Sequence, residues 1–350
     1  MMKIKNLKFN FFKNFKFLAP ISIAIILVGL ILMLIPSVGM NVGIDFAGGA
    51  TVQVDFSVGG YVETHPDIKD DLVAEVNKVI EAEGFEIGSV RWAGDDETIY
   101  EVGLKYSLNG KKVDASSEEA QTEFLNKISN EETGLKVKIA NAVNAYTNEF
   151  EFTAKNIIGV NIVGGETSKK LLNNAILATV IAIVIMLIYI AIRFTVSSGL
   201  AAIIALTHDV LVMIALTTIF RIQVNTTFIA AIITIVGYSI NATIVIFDRI
   251  REVAKLDSMK GASDWEIANR SIVDTLGRSI LTTLTTLAVI LVLTIVCAVL
   301  GISTMSEFAL PIVFGLVAGA FSSVFLSAPI WVYLRKLGNK IKSKMGKKTA

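Results

Sequence analysis

Cysteine is almost absent. Cys297 is the single one in 350 residues, so no intrachain disulfide can form, and no ligand set stands at metal-binding spacing. It lies inside an apolar run and reads as a small packing residue. Histidine occurs twice and proline five times. His65, beside Pro66, has no visible partner in the sequence and reads as a surface histidine. There is no G-x-x-x-x-G-K-[ST], dinucleotide fingerprint, serine elbow, H-E-x-x-H or kinase signature. The sequence therefore offers no site for ATP hydrolysis, nicotinamide chemistry or zinc proteolysis. No cofactor, no metal and no enzymatic activity are expected. Charge is scarce as well, at 18% of residues, too little for an ordinary soluble protein.

Apolar sequence fills the space. Mean hydropathy is +0.64, and several runs reach the roughly 18 nearly uncharged residues needed to cross a ~30 Å hydrocarbon core. The first follows Lys3, Lys5, Lys8, Lys13 and Lys16. It is long for a signal peptide and lacks a small-x-small cleavage site, so it reads as an uncleaved helix over 17–36. Five more runs cover 171–194, 199–220, 226–247, 279–300 and 309–334. An even count of six puts both termini on one side. The lysine-rich residues 1–16, the loop 248–278 and the basic tail 335–350 then share a face. The positive-inside rule makes that face cytoplasmic.

The remaining hydrophilic block, 37–168, carries about 23 acidic and 10 basic residues, against the opposite excess elsewhere. Such segregation is a compartment signal rather than a nucleic-acid signal, and the block is expected outside the membrane. Ala50 to Phe56 alternates like a strand, and 67–83 has helical periodicity ending near Gly84. Ser89 to Trp92 and Ile99 to Tyr106 alternate again. Ser116 and Glu119 are spaced as a capping box opening a second helix. Residues 135–143 and 150–158 read as later strand or mixed segments. The order β-α-β-β-α-β resembles the ferredoxin-like unit. The expected fold class is thus a polytopic helical membrane protein of six spans, with one external α+β domain between the first two.

Ionisable and amide groups at membrane depth are costly and mark functional candidates, at about 2.5–3.5 kcal/mol per charge on insertion scales. His208 and Asp209 lie midway along the run 199–220. Arg278 opens the run 279–300, ahead of Thr282 and Thr283. Tyr238, Ser239, Asn241 and Thr243 form a polar knot inside 226–247. Two readings stand. One is an ion path with Asp209 titrating, Arg278 tuning it and the hydroxyls and amide relaying. The other is a hydrogen-bonded knot that holds helices together. Asp248 and Arg249, near the end of their helix, read as an interfacial pair. Gly315 and Gly319 make a small-xxx-small face for close helix packing.

Four ordered motifs carry a family resemblance. Gly43-Ile-Asp45-Phe46-Ala-Gly48-Gly49 after a first membrane helix resembles the G-I-D-F-x-G-G signature of SecF. Val236-Gly-Tyr-Ser-Ile-Asn241 with Asp248-Arg249-Ile-Arg251-Glu252 resembles its second. His208-Asp209-Val210 and Thr275-Leu-Gly-Arg278 fall where that family has H-D-V and T-L-x-R. The resemblance spans nearly the whole chain. It implies an accessory subunit of the Sec machinery, within the RND superfamily, in the cytoplasmic membrane of a prokaryote. Implied partners are a SecD-like subunit, a SecYEG-type channel, a translocating preprotein and membrane lipids, with no nucleic acid. The implied activity is late, ATP-independent, ion-gradient-driven export.

One departure bears on that mechanism. The family pattern S-[IL]-N-D-[TS] carries its proposed proton-carrying aspartate where this chain has Ala242, which cannot titrate. The coupling carboxylate then comes from SecD, or Asp209 substitutes for it, or coupling is lost and the subunit is structural. A half-size RND exporter of small molecules or lipids, acting as a homodimer, is the competing reading.

Overall fold

The structure is a computed structural model and describes residues 11–35, 39–57, 66–93, 98–113, 117–147, 152–299 and 303–346. His65 and Ser116 lie outside them. The first helix, α1 (Phe11–Leu34), contains Pro20. It leads through a one-turn helix, α2 (Ile44–Ala47), into an α+β domain. That domain contains β1 (Gly49–Asp55), α3 (Lys69–Ala82), β2 (Phe85–Ala93), β3 (Ile99–Leu108) and the short β4 (Lys111–Lys112). Helices α4 (Glu118–Ser129) and α5 (Leu135–Thr147) and strand β5 (Ile157–Val163) complete it.

The sheet runs β2-β3-β1-β5, with β4 paired to β3. Every pairing is antiparallel. Helix faces built from Leu72, Val76 and Ile80 on α3, Phe124 and Ile128 on α4, and Ile139 and Val143 on α5 share one core with Val52, Val102 and Leu104. Phe85 meets Phe124 edge-on at 5.3 Å, the geometry aromatic quadrupoles favour.

Two local expectations are corrected here. Residues 135–143 are helical, not strand. Leu135, Val137 and Ile139 alternate, which mimics a strand. The buried set Leu135, Ile139, Ala140, Val143 and Thr147 follows the helical period instead. The helix α4 is capped by Ser117, whose hydroxyl accepts the Ala120 N–H at 3.3 Å. Its third following residue is Ala120, so the reciprocal carboxylate of a capping box is missing.

Among the described residues, five helices are long and apolar enough to cross a membrane. They are α6 (Gly165–Arg193), α7 (Val196–Ile219), α8 (Thr226–Val253), α9 (Asp264–Val299) and a last composite. That composite joins α10 (Ser303–Ser322) through a π-turn over Ser323–Ser327 to α11 (Ala328–Gly346). The apolar stretch of α1, Ala19–Leu34, is shorter. Helices α7, α8 and α10 form the interior, while α6 and α9 are largely uncovered. Close approaches need small residues. A Cβ on Gly29 would sit 2.4 Å from Ala215, and one on Gly315 would sit 2.5 Å from the Ile235 side chain.

The expected loop 248–278 is mostly helix. Helix α8 runs on to Val253, and α9 begins at Asp264. The start signal is a capping box. Ser263 N–H and Oγ–H donate to Glu266 Oε2 at 2.7 and 3.0 Å, and Glu266 N–H donates to Ser263 Oγ at 3.4 Å. A hydropathy window sees only the apolar part of such a helix and misses its polar first turns.

Candidate functional site

The candidate site lies where α7, α8 and α10 meet. Asp209 on α7 is 0% exposed. Its Oδ2 accepts hydrogen bonds from Ser239 Oγ on α8 at 2.5 Å and from Ser322 Oγ on α10 at 2.7 Å. Its Oδ1 faces His208 Nδ1 at 3.0 Å. A buried carboxylate without such donors would bear a large desolvation cost, which three charge-assisted contacts offset in part. Gly319 lies against the pair. A Cβ there would lie 3.5 Å from Asp209 Oδ2 and 3.6 Å from Ser239 Cβ. Gly315 and Gly319 therefore pack helices within this chain.

The α10 side of the site was not among the sequence candidates. Ser322 is fully buried, as are Ser323 and Ser327 beyond it. Three serines within six residues of an apolar helix are the signal that could have marked it. They coincide with the π-turn, where one extra residue per turn redirects the side chains.

The polar knot on α8 divides between two faces. Ser239 turns to Asp209. Tyr238 turns the other way, its hydroxyl donating to Thr283 Oγ1 on α9 at 3.0 Å. Tyr238, Asn241, Ala242 and Arg278 line a cleft of about 70 Å³ between α8 and α9. Arg278 and Asn241 are exposed. Among the described residues no carboxylate pairs with Arg278, and Asp209 bonds to no lysine or arginine. The acid and the guanidinium are thus not brought together.

At the end of the bundle where α8 gives way to α9, charges pair across helices as well as along α8. Asp248 binds Arg193 of α6 at 2.8 Å, and Arg249 binds Asp274 of α9 at 2.7 Å and Glu252 at 2.8 Å. Arg251 is 3.9 Å from Asp248. The expected Asp248–Arg249 pair is replaced because consecutive helical residues point about 100° apart. Asp264 is tied to Arg335 of α11 at 2.9 Å.

At the opposite end, the G-I-D-F segment joins the α+β domain to α8. Gly43 N–H donates to Val224 O at 2.8 Å, and Val224 N–H donates to Asn41 O at 2.8 Å. A Cβ on Gly43 would fall 2.7 Å from Gln223 Nε2. Asp45 Oδ2 accepts from the Thr226 N–H at 3.1 Å and its hydroxyl at 2.7 Å, covering the first turn of α8. Gly48 and Gly49 have φ of +72° and +147°, and a Cβ on Gly49 would strike Leu104 O at 2.1 Å. Phe46 packs beside the core of α7, α8 and α10. Gly43, Asp45, Gly48 and Gly49 each have a steric, conformational or hydrogen-bonding reason to be what they are.

The family model "Protein export membrane protein SecD/SecF, C-terminal" matches residues 142–337, a span that includes α6 to α10 and every residue around Asp209. The chain belongs to the SecD/SecF family. It is 32% identical to the protein translocase subunit SecF of Gemmatimonas aurantiaca, over 94% of this chain and 88% of that one. It is 32% identical to the protein translocase subunit SecDF of Bacillus subtilis, over 93% of this chain but 38% of the relative. The crystal structure of SecDF from Thermus thermophilus superposes with a TM-score of 0.68 at 27% identity, covering 96% of this chain and 40% of that one. This SecD/SecF chain is a multi-pass protein of the cytoplasmic membrane, and it spans less than half of the SecDF proteins it resembles.

Proposed function

We propose that the chain is a SecF-type subunit that acts with a SecD-like partner and a SecYEG-type channel. Together they drive late, ATP-independent, ion-gradient-dependent export of preproteins. The SecDF relatives support the partnership, because this chain is similar to 38–40% of their length. Helix α1 counts as a sixth span, with both termini cytoplasmic by their lysines. The α+β domain then faces outward, and its β2-β3-β1-β5 order supports the ferredoxin-like reading. It would receive the emerging preprotein.

The observation that carries ion coupling is Asp209. A fully buried carboxylate among membrane-length helices, with no lysine or arginine bonded to it among the described residues, is held instead by groups that can exchange protons. Since Ala242 cannot titrate, the coupling group of this chain lies in the cluster built around Asp209. One charge moved through 100 mV yields about 2.3 kcal/mol, enough to bias a domain movement more than tenfold. The exposed Arg278, which pairs with no acid among the described residues, favours a second contribution, a carboxylate of the SecD-like partner seated at the α8–α9 cleft.

The test is potential-dependent export in vesicles containing the partner and the channel. Asp209→Asn and Arg278→Ala are each expected to reduce the potential-dependent component. If both leave it intact, no ion coupling runs through this chain and the subunit is structural.

A further inference from the structure

We infer that His208 is the proton-binding residue of this membrane domain, carrying the proton on Nε2, and that Asp209 is its positioning residue. This rests on the reading that ion flow passes through the chain, and it assigns the ion and the atom.

The geometry gives each atom a part. An ionised carboxylate only accepts hydrogen bonds. With Oδ1 facing His208 Nδ1 at 3.0 Å, Nδ1 must carry its hydrogen and donate. The imidazole is thereby fixed in the tautomer whose Nε2 bears a lone pair. Oδ2 is already occupied by two hydroxyl donors from two other helices. The open acceptor of the cluster is Nε2. It is buried and has no hydrogen-bond partner among the described residues, on a side chain that is only 10% exposed. A buried polar atom without a partner calls for a role.

The surroundings favour a proton over a larger cation. The two serine hydroxyls contact Oδ2 directly, leaving no gap for a metal ion between them. Among the described residues no group of three or more acidic, histidine or cysteine side chains is placed to hold one. The groups facing the pair are few. Helix α8 presents Ser239, and α10 presents Ser322 and the Phe321 ring, 6.0 Å from the imidazole. Tyr238 is turned to Thr283, and Arg278 sits in the cleft with α9. No lysine, arginine or second carboxylate bonds to either side chain among the described residues.

The chemistry is a single association. H⁺ adds to the Nε2 lone pair, and no other bond forms or breaks. The pair then passes from a neutral imidazole beside a carboxylate to an imidazolium–carboxylate pair. The net charge of the buried cluster rises from −1 to zero, which a low-dielectric setting favours. The same carboxylate receives the hydroxyls of α8 and α10, so loading and unloading Nε2 changes the field on both helix contacts.

The sequence has two histidines, which makes a direct test possible. In the full chain with its unlabelled partner in lipid nanodiscs, ¹⁵N-histidine labelling of this chain alone and His65→Asn leave His208 as the sole labelled imidazole for NMR. The expected result is that Nε2 changes protonation across the titration while Nδ1 stays protonated, and that Asp209→Asn removes this preference for Nδ1–H. An imidazole that keeps one protonation state from pH 4 to 10, or one that titrates at Nδ1, would overturn the assignment. His208→Asn, which keeps an amide donor near Oδ1 but has no second basic nitrogen, is expected to cut pH-gradient-driven export about tenfold or more. Full gradient-driven export in that variant would also overturn it. Titration at Nε2 with wild-type export insensitive to the gradient would uphold the site and reject the coupling reading.

Discussion

Asp45 and Thr226 stand 181 residues apart in sequence and share two hydrogen bonds, from the Thr226 N–H at 3.1 Å and its hydroxyl at 2.7 Å. The carboxylate lies just before β1, and the helix it covers carries Ser239 to Asp209. The α+β domain and the buried carboxylate are therefore linked by one helix. Asp45→Ala is expected to cost about 1 kcal/mol, the usual loss on removing a helix cap, whereas Asp45→Asn should cost only a few tenths. Hydrogen exchange at the first turn of α8 measures it. Unchanged protection in the alanine variant would show that the contact holds nothing.

Gly315 and Gly319 are one turn apart but differ in room. The Cβ of alanine at 315 would be driven to 2.5 Å from Ile235, while at 319 it would meet Asp209 Oδ2 at an ordinary 3.5 Å. Gly315→Ala is expected to destabilise by about 1–3 kcal/mol through overpacking. Gly319→Ala should unfold close to the parent in mixed micelles. Equal effects from the two would mean that α8 and α10 are further apart than these distances.

Ser239 and Ser322 donate to the same oxygen. Hydrogen bonds to a charged group are worth about 1.5–3 kcal/mol, and two that share an acceptor are not independent. Ser239→Ala and Ser322→Ala should each destabilise the fold, and the double variant should differ from their sum by about 0.5 kcal/mol or more. Additive unfolding free energies would place the two hydroxyls on separate partners.

How much of this was legible in the sequence depends on the range of the interaction. Asp209 stood out because a carboxylate in an apolar run has no local excuse. The division of Tyr238 from Ser239 follows from helical geometry once α8 is a helix, yet nothing local says which neighbour each will meet. The pairing of Asp45 with Thr226 and the arrival of Ser322 at Asp209 are tertiary facts. They span 181 and 113 residues, and no periodicity encodes them. The helix α5 was obscured by chemistry of the opposite kind. Its first five residues alternate, and only the later burial of Val143 and Thr147 reveals the 3.6-residue period.

Tyr100 and Tyr106 report on the α+β domain. Burial pushes both phenols above the usual tyrosine range. The folded state then keeps protons that the unfolded chain releases near pH 10. Stability from these groups is full below that point and falls as pH rises through the folded values. Tyr100 also donates to Asn77 Oδ1 at 2.9 Å, whereas the buried Tyr106 hydroxyl has no partner among the described residues. Tyr100→Phe should flatten the alkaline loss of melting temperature while lowering stability by about 1 kcal/mol at pH 7. Tyr106→Phe should flatten it at no cost, or with a small gain. A substantial loss at pH 7 from Tyr106→Phe would reveal a partner for that hydroxyl.

Ala242 and Arg278 line the same cleft, so a carboxylate restored at 242 would meet a cation already in place. A lone charge there would cost about 2.5–3.5 kcal/mol. Pairing should remove much of that, because Arg278 has no acid of its own among the described residues. Ala242→Asp is therefore expected to fold nearly as well as the parent, and Ala242→Asp with Arg278→Ala to be clearly worse than either single variant. A double-mutant cycle should return a favourable coupling of about 1 kcal/mol or more. A gain of proton-dependent export in Ala242→Asp would accompany it if the cleft is a weakened path. Additive effects in the cycle would mean that the guanidinium points away from residue 242, toward the surface where the partner sits.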